Sequence, residues 1–321
     1  MTTRDNPDLF GKTVTVLGGS GFLGKHVAQE LLARGARLRI ASRNPERAFR
    51  LKPLGNLGQV AFARCDVARP ETLAAAITGS DAVINLVGVF NGDLDTIQGE
   101  GAGRIAEAAR DAGATAFVHV SAIGADAESR IDYARTKAEG EDAVRAAFGK
   151  AVIVRPSLIF GSDDNFVNMF GALIARFPVL PVFGPNARLQ PVFVDDVAQA
   201  ICIALFDKSK YGGKILELGG PETITMLELN QRIASAQHRS RSFIPLPDGI
   251  SKAFAMLTQW LPGAPISSDQ LALLKTGSVA SGKRPGFKVL GIAPKPLGLF
   301  LDRWMVRFRK HGRFSEGLSP S

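Results

Sequence analysis

Tyr133 and Lys137, in YARTK (133–137), are the pair in this chain best suited to moving protons beside a reducible carbon. Four residues make about one helical turn, so the two side chains share a face wherever the segment is helical. A phenol titrates near 10, and an adjacent ammonium favours the phenolate and lowers that value, as an acid–base tyrosine requires. Ser121, in FVHVSAIGA (117–125), ends an apolar run and offers a hydroxyl to a substrate oxygen held by that tyrosine. Ser121, Tyr133 and Lys137 are the candidate catalytic residues, working or vestigial.

A second constellation lies in VTVLGGSGFLGKHVAQELLARG (14–35), where Gly18, Gly21 and Gly24 are spaced three apart. Gly18 permits a tight turn after a strand, Gly21 leaves no Cβ in the way of a pyrophosphate, and Gly24 lets a helix lie close to the sheet. Phe22 and Leu23 open that helix, and its unpaired N–H groups and positive dipole end face the phosphates. After the next apolar run, in RLRIASRNPER (37–47), the strand-end position has no acid to hold a ribose 2′-hydroxyl. Ser42 and Arg43, with Arg47 beyond, suit a 2′-phosphate instead, so the expected cofactor is NADPH rather than NADH. Asp66 in ARCDV, with Val67 beside it, can accept from an adenine amino group, and Gly88 in INLVG lets the chain pass close to the adenosine ribose. Pro156 and Ile159, in RPSLIFG (155–161), complete the candidate cofactor-binding set. Lys137 has a second use here, since it can bind both nicotinamide-ribose hydroxyls without any turnover.

The elements that must position these residues follow from hydrophobic rhythm. Strands are expected at Thr13–Leu17, Arg37–Ala41, Val60–Arg64, Ala82–Val87, Ala116–Val120 and Ala151–Val154. Alanine-rich helices are expected between them, at Gly21–Arg34, Glu71–Ile77, Thr96–Ala112 and Tyr133–Phe148. Short β-branched runs alternating with helices imply parallel strands with crossovers, an α/β doubly wound parallel sheet of the Rossmann kind. A nucleotide-binding domain is expected over 1–156 and a smaller α/β lobe over 157–321, the two interleaving, with the lobe over the carboxyl ends of the strands. In the lobe, helices are expected at Asn165–Phe177, after Asp195 or Asp196 as cap, after Thr225 as cap, and around Ala253–Trp260.

The chain has 321 residues and no apolar run of 18, so no membrane span is expected. The beginning MTTRDNPDLF carries acids and lacks an apolar core, so neither a secretory nor an organellar leader is expected. Cys65 and Cys202 sit in apolar contexts, which argues against a disulfide, and His26 and His119 are read as packing residues with no metal site. The charge of +9 points to anionic partners, but no nucleic-acid-binding pattern accompanies it, and no nucleic acid is expected. Near the end, Leu297, Leu301, Trp304 and Phe308 make one apolar stripe with Arg303, Arg307 and Lys310 on another side and Arg309 and Arg313 nearby. Such a helix either lies on an anionic membrane surface or an acidic protein, or packs its stripe on its own lobe.

The glycine turn, Asp66, Gly88, Ser121, Tyr133, Lys137 and RPSLIFG stand in the order of the extended short-chain dehydrogenase/reductase family, which the chain resembles. More narrowly, RPSLIFGSDDNFVNMFGALIARFPVLPVFGPNARLQPVFVDDVAQAI (155–201), ISSDQLALLKTGSVAS (266–281) and LGIAPKPLGLFLDRW (290–304) resemble the nucleotide-binding accessory subunits of respiratory complex I and their bacterial relatives. That resemblance implies an atypical member of the fold holding NADPH structurally. It also implies docking beside the quinone-reducing arm of NADH:ubiquinone oxidoreductase, on the inner face of the inner membrane. The other reading is a cytoplasmic NAD(P)-dependent oxidoreductase or nucleotide-sugar epimerase/dehydratase that uses Tyr133 and Lys137. Arg155, Asn165 and Arg188 can in principle hold an anionic substrate, with Arg155 better suited to bracing a strand end.

Overall fold

A computed structural model describes residues 9–247, 249, 268–310 and 312. The expected helix around Ala253–Trp260 and Arg313 lie outside the described residues. β-Branched and apolar runs form strands β1 (Thr13–Leu17), β2 (Arg37–Ser42), β3 (Val60–Arg64), β4 (Ala82–Asn85), β5 (Ala116–Val120) and β6 (Val152–Pro156). With Ile215–Leu218 they make one parallel sheet, ordered Ile215–Leu218, β6, β5, β4, β1, β2, β3. The order reverses at β1, between β2 and β4, where sheets of this class receive ligands.

Helices α1 (Phe22–Ala33), α2 (Pro70–Ile77), α3 (Glu100–Asp111) and α4 (Asp132–Ala147) make the crossovers. Leu17, Val83, Phe117 and Ile153 enter a core shared with α2, α3 and α4. Their neighbours Val16, Ile84, Val118 and Val154 are equally buried, so both faces of the sheet are covered. β4 stops two residues short of the expected end because the Asn85 side chain accepts the Val87 N–H at 2.9 Å and turns the chain out of the ladder. The helix expected from Thr96 is preceded by a π-type turn, Asp95–Gly99.

The described residues divide into two units. One holds those within Met1–Pro156, Val194–Leu218 and Ser281–Ala293, and the other those within Ser157–Phe193, Gly219–Ala280 and Pro294–Ser321. The interleaving thus takes the form of two returns of the chain to the first unit. Neither Asp195 nor Asp196 caps a helix, as was expected. Both lie inside the first turn of Val194–Phe206, where Asp195 meets His26 of α1 at 2.5 Å. Thr225 does cap Met226–Ala236, in a reciprocal box with Glu228.

In the second unit the C-terminal stripe turns inward. Leu297 and Leu301 are buried, Trp304 stacks on Phe300 at 4.8 Å, and the Phe308 ring lies against Gly171. Arg307 donates to the Ser162 carbonyl and Asn168, and Arg309 to the Ala236 carbonyl, whereas Arg303 and Lys310 face solvent. Among the described residues no helix is long and apolar enough to cross a membrane.

Two features of the first unit generate predictions. α3 and α4 approach through small residues: a Cβ on Gly103 would stand 2.9 Å from Ala143 Cβ, and one on Gly140 would overlap the Gln98 carbonyl. The obstacle at Gly140 is backbone, so Gly140→Ala should cost about 2–3 kcal/mol of stability, read as a lower urea midpoint. The second feature is a polar pair buried across β4 and β5. Asn85 Oδ1 is taken by Val87, so the Asn85 amide nitrogen donates to His119 Nδ1 at 3.0 Å, and the His119 proton resides on Nε2. Burial, assisted by the Lys137 charge, lowers the His119 pKa to about 3. An unfolded histidine titrates near 6.5, so below that pH the unfolded chain binds a proton that the folded chain refuses, and stability falls with pH. Between pH 7 and 5 the native protein should lose about 2 kcal/mol more than a His119→Gln variant; equal losses in urea titrations contradict this assignment.

Candidate functional site

The glycine turn is built by close approach of backbone. Gly18 has φ +74°, and a Cβ there would stand 3.1 Å from the Leu86 carbonyl carbon and 3.2 Å from the Val87 nitrogen. Its N–H donates to the Ala41 carbonyl at 3.0 Å, tying the turn to β2. A Cβ on Gly24 would lie 2.5 Å from Gly19 Cα, so the start of α1 rests on the turn itself. Gly21 differs, because a Cβ there would meet only the Gly18 carbonyl oxygen, at 3.3 Å. Its chain neighbours aside, no other atom of the described residues stands within 4 Å of that position. Gly21 is also the N-cap of α1 with no side chain capping it, so the first-turn N–H groups around Phe22 and Leu23 keep their donors for an anion.

At the end of β2 the Ser42 hydroxyl is buried with no partner among the described residues, and Arg43 and Arg47 project into solvent. Arg50, which the sequence did not single out, reaches back to the Ser20 carbonyl at 3.5 Å. Asp66 bends the chain after β3, one carboxylate oxygen accepting the Ala68 N–H at 3.1 Å. Val67 turns its side chain onto Gly101 of α3 and into the core.

The ends of β4 and β5 hold the remaining candidates. The Ser121 hydroxyl is buried without a partner among the described residues. Lys137 is only 3% exposed and donates to the carbonyls of Val120 at 3.3 Å and Val87 at 3.5 Å. Burial lowers its pKa to about 8 against the upward pull of Glu141. At Gly88 a Cβ would stand 3.0 Å from Lys137 Nζ, so its missing side chain makes room for the ammonium. Tyr133 stacks on Phe90, centroids 4.6 Å apart and planes 13° from parallel. Burial pushes its phenol up to about 12, opposite to the lowering expected from Lys137. Pro156 is buried and its carbonyl accepts the Ile123 N–H at 3.1 Å, while Ile159 lies in the second unit, paired with Val192.

Several supporting residues carried no motif. Gln98 is buried, its amide donating to Thr136 Oγ1 at 2.8 Å and its oxygen accepting the Val89 N–H at 3.3 Å, which ties the segment after Gly88 to α4. Arg155 grips Glu141 through two bonds of 2.7 Å. Glu141 stands four residues after Lys137, a spacing that signals a partnership on a helix. In the second unit, Asn165 precedes the helix Phe166–Arg176 without capping it by its side chain, and Arg188 lines an open groove of about 810 Å³ with Lys275.

Comparison with known proteins places these observations. Residues 14–219 match the NAD dependent epimerase/dehydratase family. The mitochondrial NADH dehydrogenase [ubiquinone] 1 alpha subcomplex subunit 9 of Arabidopsis thaliana is 31% identical, over 97% of this chain and 81% of its own. A ceramide reductase of Caulobacter vibrioides is 32% identical over 77% of this chain and 78% of its own. Among solved structures, a Citrobacter sp. triphenylmethane reductase complexed with NADP(H) shares the fold, with TM-score 0.72 and 20% identity over 91% of this chain and 99% of that one. The two orphaned hydroxyls, the open space at Gly21 and the uncapped start of α1 fit the nicotinamide cofactor of such proteins. Since the match runs the length of the parallel sheet and takes in every one of these features, the chain belongs to the NAD dependent epimerase/dehydratase family.

Proposed function

We propose that the chain holds NADPH and acts as a cofactor-stabilised docking or assembly module beside the quinone-reducing arm of a respiratory complex I. The observation carrying this reading is the reach of the Arabidopsis relative's similarity, 97% of the chain, far past the family match that ends at residue 219. The second unit is where a docking subunit and a free enzyme would differ. Contact with a membrane surface on the inner face would rest on exposed bases such as Arg303 and Lys310, because the apolar stripe beside them is buried in its own unit.

In this reading Gly18 and Gly21 shape the turn that receives the pyrophosphate, the first-turn N–H groups of Phe22, Leu23 and Gly24 donate to it, and Ser42 and Arg43 take the 2′-phosphate with Arg47 close by. Asp66 and Val67 border the adenine, Lys137 meets the nicotinamide ribose, and Pro156 borders the nicotinamide. When bound, the cofactor can supply a hydride from its reduced ring. A second reading is favoured by Ser121, Tyr133 and Lys137 all being present: an NAD(P)-dependent oxidoreductase or epimerase in which Tyr133 transfers the proton and Ser121 orients the substrate oxygen. Tyr133, held neutral by burial, would serve there as the acid.

Native mass spectrometry of the purified full chain should find a retained dinucleotide, and co-purification should find it with a membrane-bound respiratory complex. NADPH oxidation dependent on a carbonyl or quinone, abolished in Tyr133→Phe and unaccompanied by any membrane partner, would sink the docking reading in favour of the second. Arg43→Glu should weaken NADPH binding about 50-fold by calorimetry while leaving NADH within about threefold, the worth of one charge-assisted bidentate contact. Equal losses for the two nucleotides reject the 2′-phosphate assignment.

A further inference from the structure

Lys137 has an obvious partner that it does not use. Glu141 lies one turn further along α4, and both residues are buried, Lys137 at 3% and Glu141 at 2% exposure. A buried carboxylate one turn from a buried ammonium would ordinarily pair with it. Instead both Glu141 oxygens are occupied by Arg155 of β6, the guanidinium Nε and Nη2 donating at 2.7 Å each. A second carboxylate near Arg155 is also engaged. Glu217, opposite Arg155 in the adjacent strand, accepts from the Ser281 N–H and hydroxyl at 2.7 Å each. On β5, the facing group His119 is neutral and contributes no competing charge. Lys137 is left with two carbonyl contacts of 3.3 and 3.5 Å, beyond the usual range of 2.7–3.2 Å for such bonds.

Stability alone gives little reason for this arrangement. Replacing a buried ion pair by apolar residues is often neutral or favourable, because desolvation offsets the attraction. We propose that Arg155 is a positioning residue for Lys137: by occupying both oxygens of Glu141 it withholds the one carboxylate that would draw the ammonium back along α4. Lys137 thereby keeps its donors at the ends of β4 and β5, for the vicinal hydroxyls of a ribose. This rests on the reading that Lys137 meets the nicotinamide ribose. If Arg155 is removed, Glu141 becomes an unpaired buried carboxylate and captures Lys137. If Glu141 is neutralised as well, nothing remains to capture it.

The test is calorimetric titration of the full chain with NADPH and, separately, with adenosine 2′,5′-bisphosphate, which lacks the nicotinamide ribose. Arg155→Met should weaken NADPH about tenfold or more, the worth of one hydrogen bond from a charged donor, and leave the bisphosphate within about twofold. The double variant Arg155→Met/Glu141→Gln should recover NADPH affinity to within about threefold of the native protein. A double variant no tighter than the single, or equal losses for both ligands, overturns the proposal and leaves Arg155 as a brace. Lys137→Met separates the two claims: if it binds NADPH as the native protein does, the ribose contact itself is wrong. Should Arg155→Met fail to fold by near-ultraviolet circular dichroism, Arg155→Lys, which frees one Glu141 oxygen, takes its place with the same recovery expected from the added Glu141→Gln.

Discussion

The architecture depends on how closely three pieces of main chain approach at the end of β1. Gly18 turns against Leu86 and Val87 with its φ in the left-handed region, and Gly24 rests on Gly19 with no room for a methyl group. These contacts bring α1, β1 and the end of β4 to one point, at the place where the strand order reverses. An L-residue with a side chain at Gly18 would meet both a disfavoured backbone conformation and a main-chain obstacle. The turn is therefore bare for internal packing at Gly18 and Gly24, whereas a Cβ on Gly21 would meet only the Gly18 carbonyl oxygen.

From that point the sheet must carry polar groups through an interior sealed on both faces. Asn85 and His119 meet part of this need across adjacent strands, with the Val87 N–H completing Asn85 Oδ1, while His119 Nε2 is buried without a partner among the described residues. Lys137 is held by carbonyls and Ser121 has no partner among the described residues. Both lie at the strand ends, where a polar group is held at least cost to the core. Tyr133 stands apart from this chain of groups. Its stacking on Phe90 places the phenol where burial dominates over the neighbouring charge, which keeps it protonated rather than poised as a base.

Legibility in the sequence followed the range of the interactions involved. β1, β3 and β5 were readable to the residue because alternation and β-branching are local, as was the Thr225 cap with Glu228 three residues on. Asp195 and Asp196 looked like caps by the same local rule, yet the helix begins before them and Asp195 answers to His26, 169 residues away. Gly88 was legible as a glycine needed for closeness, but its close neighbour is Lys137, which only the sheet brings near. Gln98 offered no signal, since its importance lies wholly in tertiary bonds to Val89 and Thr136. The C-terminal stripe was correctly seen as apolar. A helical stripe carries no label saying what it packs on, and here Leu297 and Leu301 are buried within the second unit.

The burial of that stripe bears on how an excess of nine positive charges is used. With the stripe occupied, attraction to an anionic surface through this segment would be electrostatic rather than insertive, weakening steeply with salt. Two of its bases are already tied to the fold, Arg307 to Ser162 and Asn168, Arg309 to Ala236, so the segment presents fewer free charges than its sequence implies. In the first unit, by contrast, Arg43 and Arg47 stand exposed beside the orphaned Ser42 hydroxyl. Exposed guanidinium groups of this kind can meet a phosphate monoester by bidentate bonding. Bases of one sign thus stand in two unlike settings in one chain, tied to main-chain carbonyls at Arg307 and Arg309 and exposed at Arg43 and Arg47.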